Sequence, residues 1–222
     1  MARHRLRFSK RGRARYLSHL DLMRTMQRAF QRACVGIRHT EGFNPHAYIS
    51  VALPLSVGVE SVCELLDFEV VDGTPLPTLP ALLTTKMPEG IAVTEVYEAE
   101  RKVKDIAWLR LAGTLEYDAL ADTGDMASRL AGFFGQRSIS VAKQTKKKEE
   151  AQVDIAPLIR EIALTADCAH RVRMEAVVAA QNPGLGPSLL LDALRQNAPE
   201  LAPDFAQFSR VEVYDAGMDL FR

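Results

Sequence analysis

Residues able to do chemistry are concentrated in segment 16–64 of this 222-residue chain. Ser18, His19 and Asp21 stand at the start of a predicted helix, and the loop after that helix carries two further histidines. A loop that only connects two elements does not need such side chains. Because these residues flank one helix start and the loop leaving its far end, we predict that eight of them converge on one concave surface: Ser18, His19, Asp21, Arg24, His39, Glu41, Asn44 and His46.

Several chemistries are open to these side chains. Imidazole and carboxylate groups bind zinc or iron, but their spacing matches no known ligand template, so we predict no metal. His19, Asp21 and His46 are candidates for general acid–base catalysis, as in an RNA-processing or RNA-modifying enzyme. The chain lacks cofactor and nucleophile motifs, which favours a protein that is not itself catalytic and needs no cofactor.

Basic residues are concentrated at the beginning of the chain. The first 50 residues hold eleven Lys and Arg against two acidic side chains, although the whole chain has no net charge. This asymmetry indicates an anionic partner, and nearby aromatic rings could stack on bases; the alternative is a merely solvated charged face. The predicted RNA-binding or substrate-binding residues are Arg5, Arg7, Lys10, Arg13, Arg15, Tyr16, Ser18, Arg24, Arg28, His39, Glu41, Phe43, Asn44, Tyr48 and Glu60.

The hydrophobic pattern predicts an α+β protein made of two lobes, 1–100 and 106–222, each with the βαββαβ order of a ferredoxin-like fold and an antiparallel sheet. One helix begins after the N-cap Ser18 and ends near Gly36, which would adopt the left-handed conformation of a helix C-terminus. The predicted strands are 6–9, 48–55, 64–71, 91–98, 108–117, 139–142, 159–165, 171–178 and 211–214. The other predicted helices are 77–86, 126–134 and 189–196, with a lysine-rich turn at 146–150.

Cysteine usage and hydropathy restrict the class of protein. Three isolated cysteines, Cys34, Cys63 and Cys168, form neither a disulfide framework nor a zinc-finger pattern. No apolar run approaches the ~20 residues of a membrane-spanning helix, and no apolar segment follows the basic N-terminus as in a signal peptide. We therefore expect a cytoplasmic protein that has no membrane partner.

Three segments carry a family resemblance: residues 7–24 (RFSKRGRARYLSHLDLMR), residues 41–46 (EGFNPH) and residues 53–61 (LPLSVGVES). They resemble the radical SAM-associated family of unknown function, whose members occur alone or at the C-terminus of radical SAM proteins. The resemblance is weaker beyond the first third of the chain, at 153–159. It implies a radical SAM enzyme as partner. Because the chain has no Cys-x-x-x-Cys-x-x-Cys, we expect an accessory module and not the radical enzyme itself. The resemblance implies that this module docks on the enzyme or presents a substrate to it, with the loop around His46 as a contact or lid; the alternative is a rigid turn that positions the next strand. RNA binding is expected from the charge asymmetry and the predicted fold.

Overall fold

The structure, a computed structural model, describes residues 3–119, 122–144 and 150–222. It divides into two compact units: Met1–Asp105 together with Phe221–Arg222, and Ile106–Leu220. The predicted lysine-rich turn at 146–150 lies outside the described residues apart from Glu150. None of the helices within the described ranges is both long enough and apolar enough to cross a membrane.

The described part of the first unit contains four strands and two α-helices. They are β1 (His4–Lys10), α1 (His19–Arg32), β2 (Ile49–Val51), β3 (Glu60–Phe68), α2 (Leu79–Thr84) and β4 (Ile91–Glu98). The strands form a sheet in the order β4-β1-β3-β2, and every neighbouring pair is antiparallel. The predicted strand 48–55 is regular only over Ile49–Val51, since Pro54 has no amide hydrogen to donate to a neighbouring strand.

Helix α1 begins where the sequence predicts. The hydroxyl of Ser18 accepts a hydrogen bond from the Asp21 amide at 3.1 Å, and so caps the helix. Leu22, Met26 and Phe30 follow at helical spacing and are buried against β1 and β3. Burying one such side chain contributes roughly 1.5–3 kcal/mol, so this apolar face holds the helix on the sheet.

The end of α1 corrects the prediction for Gly36. The residue with the left-handed backbone is Cys34, at φ 54°, whereas Gly36 is not among the residues with positive φ. Gly36 is required for a different reason: a Cβ there would lie 2.9 Å from the Asp72 Cβ. The Gly36 amide donates to the Asp72 carboxylate, and the Thr74 hydroxyl and this amide together hold the pKa of Asp72 below its ordinary value.

Within the described residues, the second unit has six strands and two α-helices. They are β5 (Trp108–Glu116), α3 (Thr123–Phe134), β6 (Ser140–Gln144), β7 (Glu150–Asp154), β8 (Ile159–Cys168), β9 (Arg171–Ala179), α4 (Pro187–Asn197) and β10 (Phe205–Tyr214). The main sheet has the order β10-β5-β9-β8 with antiparallel neighbours. The predicted strand at 139–142 belongs instead to the separate hairpin β6–β7.

The last strand begins six residues earlier than predicted. β10 starts at Phe205, but its register shifts between Arg210 and Glu212. Such a bulge interrupts the alternation of inward and outward side chains, so the sequence pattern showed only the part after it. The predicted mixed α+β class with antiparallel strand pairing is confirmed by the four α-helices and the antiparallel strand pairs described here.

Candidate nucleic-acid interface

The polar residues at the start of α1 form a local network. The Ser18 hydroxyl donates to one Asp21 carboxylate oxygen at 2.7 Å, and an Arg24 guanidinium nitrogen lies 3.4 Å from the other. His19 is exposed beside them. The structure therefore brings three of the predicted residues together, with the Asp21 carboxylate occupied by the helix cap and by Arg24.

The loop between α1 and β2 is folded back on itself. Its backbone forms isolated antiparallel bridges between Ile37 and Val70 and between His39 and Ala47. The Thr40 amide donates to the His46 carbonyl at 2.9 Å. These bonds make a short turn of residues 40–46 whose side chains are largely exposed.

Both loop histidines contact nearby main-chain or hydroxyl groups. His39 Nδ1 lies 3.0 Å from the Ile37 carbonyl, and His46 Nδ1 lies 3.1 Å from the Thr40 hydroxyl and 3.4 Å from the Asn44 carbonyl. Glu41 and Phe43 are exposed at the turn. That the loop and the start of α1 share one concave surface stays a prediction. Within the described part of the chain, no three His, Cys, Asp or Glu side chains are grouped as a metal site.

The outer face of α1 carries a row of arginines. Arg24, Arg28 and Arg32 recur every four residues, and all three are exposed. Arg28 has no ion-pair partner among the described residues, nor do the exposed Arg11 and Arg13 in the turn after β1. Arg32 belongs to this row by helical period and donates to the Lys86 carbonyl at 2.5 Å.

Two of the predicted cations are buried, which corrects their assignment to the interface. Arg5 has no exposed surface; its guanidinium lies 2.6 and 3.1 Å from the two Asp67 oxygens and 5.0 Å from the Phe221 ring centre. Lys10 is 1% exposed and donates to the Arg15 carbonyl at 3.4 Å. Both side chains are buried and bound within the first unit, so neither is accessible to a phosphate. Arg7 is half-buried.

Tyr16 is held in place by two charged neighbours. The Arg15 guanidinium lies 4.9 Å from the centre of the Tyr16 ring and donates to its hydroxyl at 2.9 Å. Glu60 in turn lies 3.5 Å from Arg15 and accepts a hydrogen bond from the Gly12 amide at 2.9 Å. The Tyr16 residue nevertheless remains 61% exposed.

Tyr48 is held in the same way. The Arg38 guanidinium lies 5.2 Å from the ring centre, and Glu69 lies 3.1 Å from Arg38. Its hydrogen bond to Glu69, followed by the nearby Glu69 charge, raises the pKa of Arg38 above its ordinary value. Arg38 and Glu69 were absent from the predicted interface, since nothing in the sequence links one to the other.

Comparison with known proteins identifies a family for this chain. No protein with a curated description matches the chain. Among solved structures, the crystal structure of a Cbf5-Nop10-Gar1 complex has a TM-score of 0.49 and 8% identity, covering 95% of this chain and 48% of that one. The chain thus spans about half the length of that structure. An unknown protein from Galdieria sulphuraria has a TM-score of 0.27 and 11% identity, covering 95% of this chain and 98% of that one. Similarity at these scores identifies neither fold nor function.

The family of uncharacterized proteins conserved in bacteria (DUF2344) matches residues 3–187, and the chain belongs to this family.

Proposed function

We propose that this protein is an accessory module that binds RNA through the exposed cations of its first unit and works with a radical SAM enzyme. The radical SAM partner is supported by the sequence resemblance in segments 7–24, 41–46 and 53–61. The RNA half of the proposal is supported by the placement of charge in the structure.

The main observation that supports RNA binding is the row of arginines on α1. Helical rise separates successive members by about 6 Å along the axis, so Arg24, Arg28 and Arg32 form a cationic row about 12 Å long on one side of the helix. Asp21 is the only acidic residue on this helix. The first unit as a whole has sixteen basic and twelve acidic residues, and the second has the reverse. A polyanion is therefore attracted to the first unit and repelled from the second.

Binding rather than catalysis is supported by what the candidate acids and bases touch. The Asp21 carboxylate accepts a hydrogen bond from the hydroxyl of the helix cap and pairs with Arg24. The Nδ1 atom of His46 contacts the Thr40 hydroxyl. These contacts stabilise local backbone structure. An enzyme would need such groups directed at a substrate.

The two sheets support the further proposal that both units are ferredoxin-like lobes. When the hairpin β6–β7 is left aside, the orders β4-β1-β3-β2 and β10-β5-β9-β8 place the first strand of each four-stranded set beside the third and the last. In both units a helix follows the first strand and another precedes the last. Four-stranded sheets of this kind are a common framework for RNA-binding domains.

The test is RNA affinity as a function of salt. Arg24→Ala and Arg28→Ala should each lower the slope of log K against log salt by about 0.7, the value for one phosphate contact on a single strand. Arg195→Ala is the matched control, because Arg195 on α4 pairs with Asp192 at 3.3 Å, as Arg24 pairs with Asp21 at 3.4 Å. We expect the control to leave the slope unchanged.

Two results would contradict the proposal. Absence of RNA binding at low salt would remove the RNA half, and an equal effect of Arg195→Ala would show that the α1 row is not the contact. For the partner half, a purified radical SAM enzyme from the same organism should co-elute with the protein in size-exclusion chromatography. Separate elution at concentrations of tens of micromolar would count against that half alone.

A further inference from the structure

We propose that Tyr16 and Tyr48 stack on unpaired nucleobases, so that the ligand of the first unit is single-stranded RNA. This inference rests on the proposed function and deepens it by naming the form of RNA and the residues that contact its bases.

Each tyrosine belongs to the same arrangement of three residues. An arginine lies over one face of the ring, at 4.9 Å for Tyr16 and 5.2 Å for Tyr48, and a glutamate holds that arginine. The backbone is held as well, since the Arg15 carbonyl accepts from Gly58 at 2.9 Å and the Tyr48 amide donates to Arg38 at 2.8 Å. A ring fixed before binding loses little conformational entropy when a ligand arrives.

Both residues are nevertheless exposed to solvent, Tyr16 by 61% and Tyr48 by 47%. Leaving an aromatic face in water forgoes the free energy that its burial would contribute. An exposed ring held by a charged pair is therefore typical of a surface that a planar partner completes. A nucleobase fits this role, because every base has a π-face and stacks on tyrosine irrespective of its identity.

The polar and charged groups around each ring are suited to binding the phosphate and sugar of a nucleotide. Beside Tyr16, the exposed guanidinium groups of Arg11 and Arg13 lie in the same turn and have no ion-pair partner among the described residues. Beside Tyr48, a cavity of ≈ 440 Å³ is lined by Arg3, Ser50 and Asp67 together with apolar neighbours, and Arg3 lies 3.7 Å from Asp67. The cavity offers hydrogen-bonding groups next to the ring. Phosphate contacts and base contacts are thus both available.

We infer that the RNA is single-stranded from the accessibility of its base faces. In an A-form duplex the bases are stacked and paired, so their faces are closed to side chains. A tyrosine on a turn or strand edge can stack only on a base that is unpaired or at a strand end. The arginine row alone would accept either form of RNA, and the two tyrosines discriminate between them.

The experiment compares a ten-nucleotide RNA containing 2-aminopurine with the same RNA annealed to its complement. Tyr16→Leu and Tyr48→Leu should each weaken binding of the single strand by roughly 5- to 150-fold, the effect of removing one base-stacking aromatic. Each should also reduce the quenching of 2-aminopurine fluorescence while leaving the salt slope unchanged. Phe205→Leu is the control, because Phe205 is 54% exposed in the second unit and belongs to no predicted site.

The outcomes separate this inference from the proposed function. Equal affinity for duplex and single strand, or single-strand affinity within twofold of the parent protein in both tyrosine variants, overturns the stacking inference and leaves RNA binding in place. Failure to bind either RNA overturns both. A mononucleotide such as AMP that competes as well as the oligonucleotide would identify a free nucleotide as the ligand and overturn the assignment to RNA.

Discussion

Replacement of Asp67 by asparagine tests whether the buried ion pair stabilises the first unit. Asp67 binds the Arg5 guanidinium through both oxygens, and Arg5 has no exposed surface. Asp67→Asn leaves this cation buried without its counter-charge. Breaking a buried pair in this way costs roughly 3–5 kcal/mol, a large part of the ~5–15 kcal/mol that stabilises a typical domain.

The matched control is the exposed pair between Arg195 and Asp192. Their side chains are 61% and 43% exposed, so Asp192→Asn should cost no more than about 1 kcal/mol. Native-state hydrogen exchange measured by mass spectrometry separates the units. Amides of β1 and β3 should lose the full 3–5 kcal/mol in Asp67→Asn, while amides of α4 serve as an internal reference.

A double variant distinguishes the unpaired charge from lost packing. Arg5→Met with Asp67→Leu removes both charges and keeps apolar volume, and such replacements are often neutral or stabilising. We expect it to recover most of the loss. If Asp67→Asn costs under about 1 kcal/mol, or if the double variant is as unstable as the single one, the reasoning is refuted. In the second case, the contacts of Arg5 with the Arg101 carbonyl and the Phe221 ring would account for the loss.

Two further stability predictions use other features of the chain. Burial raises the pKa of Tyr117 to about 12, above the ordinary tyrosine value. The shift stabilises the folded protein fully at pH values below the tyrosine pKa of the unfolded state, and this stabilisation is lost as the pH rises through the pKa of the folded state. Tyr117→Phe should remove this alkaline dependence and, in urea denaturation at neutral pH, cost about 1 kcal/mol for the bond from its hydroxyl to the Leu201 carbonyl. Gly90→Ala should destabilise the first unit by roughly 1–3 kcal/mol, because Gly90 has φ 89° and a Cβ would press on the Arg11 carbonyl. Gly132→Ala, in open space on α3, should instead be neutral or stabilising by up to about 1 kcal/mol, and the opposite ranking in hydrogen exchange would contradict the argument.

The sequence by itself determined the elements whose signals are local. The N-cap at Ser18 and the apolar period of Leu22, Met26 and Phe30 predicted α1, and alternation predicted β5 and β9. Capping and amphipathic period depend on residues within a turn or two of one another, so they are visible in the chain. Where a local irregularity occurs, as at the bulge in β10, the same signal is lost.

Only the tertiary structure decided which charged residues are available to a partner. Arg5 was predicted to bind RNA or substrate, but Asp67, 62 residues away in sequence, binds it in the sheet. Arg15 and Glu60 are separated by 45 residues, and their contact is what holds Tyr16. Such partners are set by strand register and by the packing of distant segments, which depend on the free energy of the whole unit and leave no periodic trace in the sequence.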